Sequence, residues 1–154
     1  MIRVQREDFD VGEELAGLGD GKPGIGGVCL FVGLVRDMAG DEAISAMTLE
    51  HYPGMTEGEL TRVEKEAHRR WPLEASLIIH RHGRLEPGDQ IVLVATASAH
   101  RRAAFDSCEF LIDWLKTKAP FWKREETAGG PRWVSANSDD DVAAARWNSD
   151  STGE

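Results

Sequence analysis

Apolar and polar positions along this chain fall into blocks whose period switches between two and about 3.6. Residues 2–5 (IRVQ) alternate and predict a short first strand, and residues 10–18 have the spacing of a short helix. A glycine-rich loop follows, and the nearly continuous apolar run VCLFVGLV predicts a buried strand over 28–36. Residues 37–42 read as a polar loop and 43–52 as a second strand, closed by Pro53 and Gly54. Thr56 and Glu59 form a TxxE capping box, and Leu60, Val63 and Ala67 carry that helix to Trp71, where Pro72 stops it. Strands are predicted over 74–81 and 90–98, joined through a turn at 85–89.

The longest helix is predicted over 99–118, with Ser98 as its N-cap. At about 100° per residue, Phe105, Cys108, Leu111, Ile112 and Leu115 share an arc of about 120°, with Arg101 pointing into it and Lys116 on its rim. PFWKREE and PRWV can pair as a hairpin around residues 128–130, and 138–146 can close the chain as a helix whose N-terminus carries Asp139, Asp140 and Asp141. These elements predict an α+β or mixed α/β domain, with a sheet of about four strands and packed helices, followed by a small hairpin.

Length and charge narrow the function. The 154 residues suit one domain over 1–147 with a frayed tail at 148–154, and the formal charge of −9 excludes a broad nucleic-acid-binding surface, which must be basic. No apolar stretch approaches the roughly 20 residues that span a bilayer, and the N-terminus lacks the apolar core of a secretion signal, so a cytoplasmic protein is expected. Cys29 and Cys108 sit in apolar patterns and read as two buried thiols, with no CxxC. His51, His68, His80, His82 and His100 form no compact ligand motif, so no metal site is expected.

The acidic excess is uneven. Residues 1–22 hold three basic and six acidic side chains, whereas 100–124 hold six basic and three acidic. SAHRR places Ser98, His100 and Arg101 at a helix start, where free N–H groups favour an anion. In LKTKAPFWKRE, cations crowd around a rigid Pro-Phe-Trp segment; like charges held together call for an anion, and crowding lowers a lysine's proton affinity. Arg36 ends the first long strand, where functional groups gather. Each feature also has a bland reading, as a solvated helix start or a hairpin anchored by Phe121 and Trp122.

The segments LEHYPGMTE, RWPL, IHRHGRLEPGD, SAHR and LKTKAPFWKRE, in this order across about residues 25–147, closely resemble the catalytic, larger subunit of molybdopterin synthase. The resemblance implies an α/β hammerhead-like fold with an antiparallel β subdomain, and a homodimer flanked by two copies of a small ubiquitin-like sulfur-carrier subunit, a heterotetramer. It implies a sulfurtransferase of molybdenum cofactor biosynthesis: sulfur passes from the carrier's C-terminal Gly-Gly thiocarboxylate to cyclic pyranopterin monophosphate, without metal or organic cofactor. By the same resemblance Lys116 and Lys123 are the catalytic lysines, and Leu34, Val35, Arg36, His100, Arg101, Lys116, Lys123, Arg124 and Glu125 hold the pterin phosphate substrate. Phe31, Met55, Phe121 and Trp122 are candidate walls for the carrier's tail. Leu34 departs from a lysine of some relatives, and Asn137 from an arginine that in some reaches across the dimer. The competing readings are a non-catalytic scaffold that binds a ubiquitin-like tail and, behind it, an unrelated anion-binding enzyme.

Overall fold

The computed structural model describes residues 1–134 and 138–148. Their elements are β1 (Ile2–Gln5), α1 (Val11–Gly19), β2 (Gly27–Leu34), β3 (Met38–Ala39), β4 (Glu42–His51), α2 (Met55–Arg70), β5 (Leu73–Arg81), β6 (Gly83–Leu85), β7 (Gln90–Ser98), α3 (Arg101–Thr117), β8 (Phe121–Thr127), β9 (Gly130–Trp133) and α4 (Ser138–Ala145). One sheet has the order β1-β5-β7-β2, with β1 parallel to β5 and the other pairs antiparallel. A second sheet runs β3-β4-β8-β9, with β6 also paired to β4. The α+β architecture and the separate antiparallel unit expected from the sequence are both present. No helix among the described residues is long and apolar enough to cross a membrane.

Helices cover both faces of the first sheet. Leu60, Val63 and Ala67 of α2 pack with Phe110, Leu111 and Trp114 of α3 on Ile78, Val92 and Val94, while Phe9, Val11 and Leu18 cover Leu77, Ile79 and Leu93 opposite. A third cluster, Val35, Met47, Leu49 and Leu85 with Phe121 packed against it, joins the two sheets. Burying side chains of this size stabilises by about 1.5–3 kcal/mol each. The relative placement of the sheets, and hence of the loops between them, rests on that third cluster.

Several local expectations are corrected. The predicted buried strand is the sheet's edge: Val28, Leu30, Phe31 and Leu34 are each more than a third exposed, and among the described residues no strand pairs beyond β2. The expected loop at 37–42 contains β3, and the capping box shifts by two residues. Glu57 Oε2 accepts from the Gly54 N–H at 2.7 Å, while buried Thr56 donates to the Tyr52 carbonyl. Ser98 caps nothing; it ends β7 and its hydroxyl donates to the Pro72 carbonyl at 2.7 Å, so His100 becomes the N-cap of α3. That helix buries Ala104, Ser107, Phe110, Leu111 and Trp114, because it faces α2 as well as the sheet, and Phe105 is left 59% exposed. Arg101 points to solvent and not into the core arc. Cys29 and Cys108 are free thiols, Cys108 buried and Cys29 partly so. Asn137 and residues 149–154 lie outside the described residues.

Candidate functional site

α3 carries candidate cations at both of its ends. At its C-terminal end stands Lys116, and the chain then turns through Ala119 and Pro120 into β8, which brings Lys123 back beside it. Arg36 arrives from the end of β2, where Val35 pins the chain: its side chain is 3% exposed in the joining cluster, and its N–H donates to the Asp89 carbonyl at 2.9 Å. Burial above all, then the charges of Lys116 and Arg36, hold the Lys123 ammonium below the ordinary lysine range, against the opposing pull of Glu125 and Asp140. Beside Arg36 an open cavity of about 660 Å³ is lined by Asp37, Met38, Gly40, Pro87 and Gly88, with Leu34 exposed nearby on β2.

The other end of α3 presents His100 and Arg101, both exposed. The glycine-rich segment before β2 closes onto it: Gly26 donates to the Ser98 carbonyl at 2.9 Å, and a Cβ on Gly26 would stand 2.1 Å from the Ala99 carbonyl oxygen. These glycines serve a close backbone approach. Fifteen residues at 1.5 Å per residue separate Arg101 from Lys116, about 22 Å. Within one chain the structure therefore gathers Arg36, Lys116 and Lys123, and leaves His100 and Arg101 apart from them.

Strand alternation divides the remaining candidates. Phe121, Lys123 and Glu125 stand opposite His51, Leu49 and Met47 of β4 on the inner face of β8, whereas Trp122 and Arg124 stand opposite Glu50 and Thr48 on the outer face. There Trp122 meets Tyr52 edge-on, and Arg124 lies over Trp133 with its Nε buried and unpartnered. Phe121 and Trp122 cannot line one wall. Met55 and Phe31 are both exposed.

Arg3, Arg62, Arg69, Arg70, Arg84, Arg132 and Arg146 each sit on a carboxylate. Among the described residues none reaches Arg36, Arg101, Lys116 or Lys123 within ion-pair distance, in a chain with 27 acidic side chains. Lack of an ion pair does not by itself set the site cations apart: among the described residues Arg6, Lys22, Lys65, Lys118 and Arg124 also have no carboxylate within that distance, whereas half of the cations do. Convergence of several cations, here opposed only in part by Glu125 and Asp140, is the electrostatic form of an anion site. The described residues contain no cluster of His, Cys, Asp or Glu arranged to hold a metal.

Residues 4–118 match the family model described as MoaE protein. The chain belongs to the MoaE family. It is similar to the molybdopterin synthase catalytic subunit of Ralstonia nicotianae, 56% identical over 95% of this chain and 83% of that protein. Among solved structures, the molybdopterin biosynthesis MoaE protein from Burkholderia ambifaria is 54% identical, with TM-score 0.83 over 97% of this chain and 99% of the other. A protein–protein complex of subunits 1 and 2 of molybdopterin-converting factor from Helicobacter pylori shares the fold at 20% identity, with TM-score 0.73 over 87% and 90% of the two chains.

Two groups beside this MoaE site escaped the sequence reading. His80, weighed there only as a metal ligand, is buried at the base of the lysine end; its Nδ1 is 2.8 Å from the Arg81 carbonyl and its ring stacks on Phe121 with centroids 3.8 Å apart. Burial, and the charges of Lys116, His51 and His82, push it down to about 4, against the Arg81 hydrogen bond. Arg132, the second group, pairs with Glu125 across the hairpin. The hydrophobic flanks of His80 hinted at burial, but no sequence signal links Arg132 to Lys123.

Proposed function

We propose that this chain is the catalytic subunit of a molybdopterin synthase acting in the cytoplasm, moving sulfur from the C-terminal thiocarboxylate of a small ubiquitin-like carrier to cyclic pyranopterin monophosphate. The observation that carries this reading is the convergence of Arg36, Lys116 and Lys123 in a chain of charge −9. A thiocarboxylate and a cyclic phosphate are both anions, and bringing them together in a partly buried site costs Coulomb energy unless fixed cations offset it. Lys123, with its lowered proton affinity, gives up its proton more readily than an ordinary lysine, and Lys116 assists as acid, base or covalent partner. His100 and Arg101 hold phosphate at the N-terminal end of α3, where backbone N–H groups add to their charge. Leu34 and Arg124 belong to the substrate-binding segments, and Val35 fixes Arg36.

The two ends of α3 are too far apart to grip one pterin within one chain, so the homodimer supplies His100 and Arg101 from the second copy. Two carriers then complete a heterotetramer. Mixing Arg101→Ala with Lys116→Ala chains tests this arrangement: a site shared between copies restores wild-type substrate affinity to the active sites of the mixed dimer, where one of the two sites carries neither change. A site confined to one chain keeps the weakened affinity of Arg101→Ala at every active site. The overall reading is tested by incubating the purified chain with thiocarboxylated carrier and cyclic pyranopterin monophosphate and measuring dithiolene product. A scaffold would bind the carrier and yield none.

A further inference from the structure

Glu125 is an acid set into a pocket of cations. It is 5% exposed, stands on the inner face of β8 two residues beyond Lys123, and faces Met47 across the β4 pairing. A carboxylate there repels an anionic substrate, so its charge needs another use. Across the hairpin its partner on β9 is Arg132, whose Nη2 and Nε lie 3.2 and 3.4 Å from Glu125 Oε2. The same guanidinium donates through Nη1 to Glu42 Oε2 at 2.8 Å, at the start of β4. One arginine thus ties β4, β8 and β9 together through two carboxylates.

We propose that Arg132 is a positioning residue for Lys123: by clamping Glu125 it offsets that carboxylate's charge and keeps it turned toward β9, which leaves Lys123 easier to deprotonate. The role of Lys123 in sulfur transfer rests on the function proposed above; the effect of Arg132 on Lys123 does not. The groups that bear on Lys123 come from every side. Lys116 of α3 and Arg36 beyond β2 oppose its charge, Glu125 on its own strand and Asp140 of α4 favour it, and burial opposes it most. His80 and His51 meet Phe121 one step along the same face. Glu125 is the nearest acid along this strand, so its neutralisation by Arg132 is the adjustable contribution, and a freed Glu125 would draw the ammonium to itself.

The test reads Lys123 directly, on the full chain without carrier or pterin. Acetylation by acetic anhydride is followed by peptide mass spectrometry across pH 6–11, with exposed Lys22 and Lys65 as internal references. In Arg132→Met the reactivity of Lys123 at pH 8 is expected to fall about three- to tenfold, its midpoint moving to higher pH. Arg132→Lys should preserve it, and adding Glu125→Gln to Arg132→Met should restore it. An unmoved midpoint in a folded Arg132→Met chain overturns the proposal, as does a parallel change at Lys22 and Lys65. Should Arg132→Met not fold, Glu42→Gln carries the test with the opposite sign: Arg132 is left to Glu125 alone and Lys123 becomes more reactive, and equal or lower reactivity overturns the proposal. No substrate is used, so this result and the failure of sulfur transfer are separable.

Discussion

The two ends of α3, both proposed to meet anions, are built by different means. At the N-terminal end the donors are backbone N–H groups with two exposed side chains, held by the contact of Gly26 with Ala99. Its backbone donors offer an anion fixed geometry. At the C-terminal end burial first, and then the charges of Lys116 and Arg36, hold Lys123 below its ordinary range, beside inward-facing Phe121, which stacks on buried His80. Binding is cheap to arrange with peptide groups, whereas proton exchange requires charge and burial in conflict. On the function proposed above, phosphate holding falls to the first end and chemistry to the second.

The sharpest way to break that contrast is Lys116→Ala. Dithiolene formation is expected to fall at least about a hundredfold, with thermal stability and carrier binding retained, as removal of a group acting in the transition state requires. Sulfur-transfer assays with calorimetric carrier titration check it; near-normal turnover would remove the chemical role from this end. Next in size is His80. Its neutral ring contributes stability above the ordinary histidine value of 6.5, lost as pH falls through that value toward the folded value of about 4. Between pH 7 and 4, wild type should lose up to about 3 kcal/mol more than His80→Phe, which keeps a ring on Phe121. Urea denaturation at the two pH values measures the difference, and equal losses would dismiss it.

Gly26→Ala attacks the other end alone. Its Cβ meets a carbonyl oxygen at 2.1 Å, so the loop must move. A loss of about 2 kcal/mol in stability is expected, as for overpacking, together with weaker pterin-phosphate binding but no change in the acetylation profile of Lys123. The smallest effect belongs to Arg101→Ala: roughly tenfold weaker substrate binding by calorimetry, with carrier affinity unchanged. Equal loss of both affinities would make Arg101 part of the carrier surface.

Much of this was legible beforehand, and the exceptions share a cause. The hairpin around residues 128–130, the strands on either side of residues 85–89 and the helix stopped by Pro72 follow from turn residues and local periodicity, and all are present. An arc of large apolar residues passes through Phe105 and predicts it in the core. The true face is set by two neighbours, the sheet and α2, which favour Ala104 and Ser107 where α3 packs closely. VCLFVGLV reads as buried whether a strand is central or at an edge, because strand order is not a local property. Ser98 looked like a cap and proved to be the end of a strand.

The sequence by itself determined the elements, the local excess of cations between residues 100 and 124, and, through motifs shared in order with a known family, the chemistry. Those are properties of neighbouring residues, for which turn preference, period and charge are additive and readable. Tertiary structure alone decided that Arg36 meets Lys116 and Lys123, that His100 and Arg101 stand some 22 Å from them along α3, that strand alternation sends Lys123 and Arg124 to opposite faces, and that Arg132 clamps Glu125. Each depends on which strand pairs with which and on the cluster joining the two sheets. Those contacts are made between residues tens of positions apart, where no local pattern carries information.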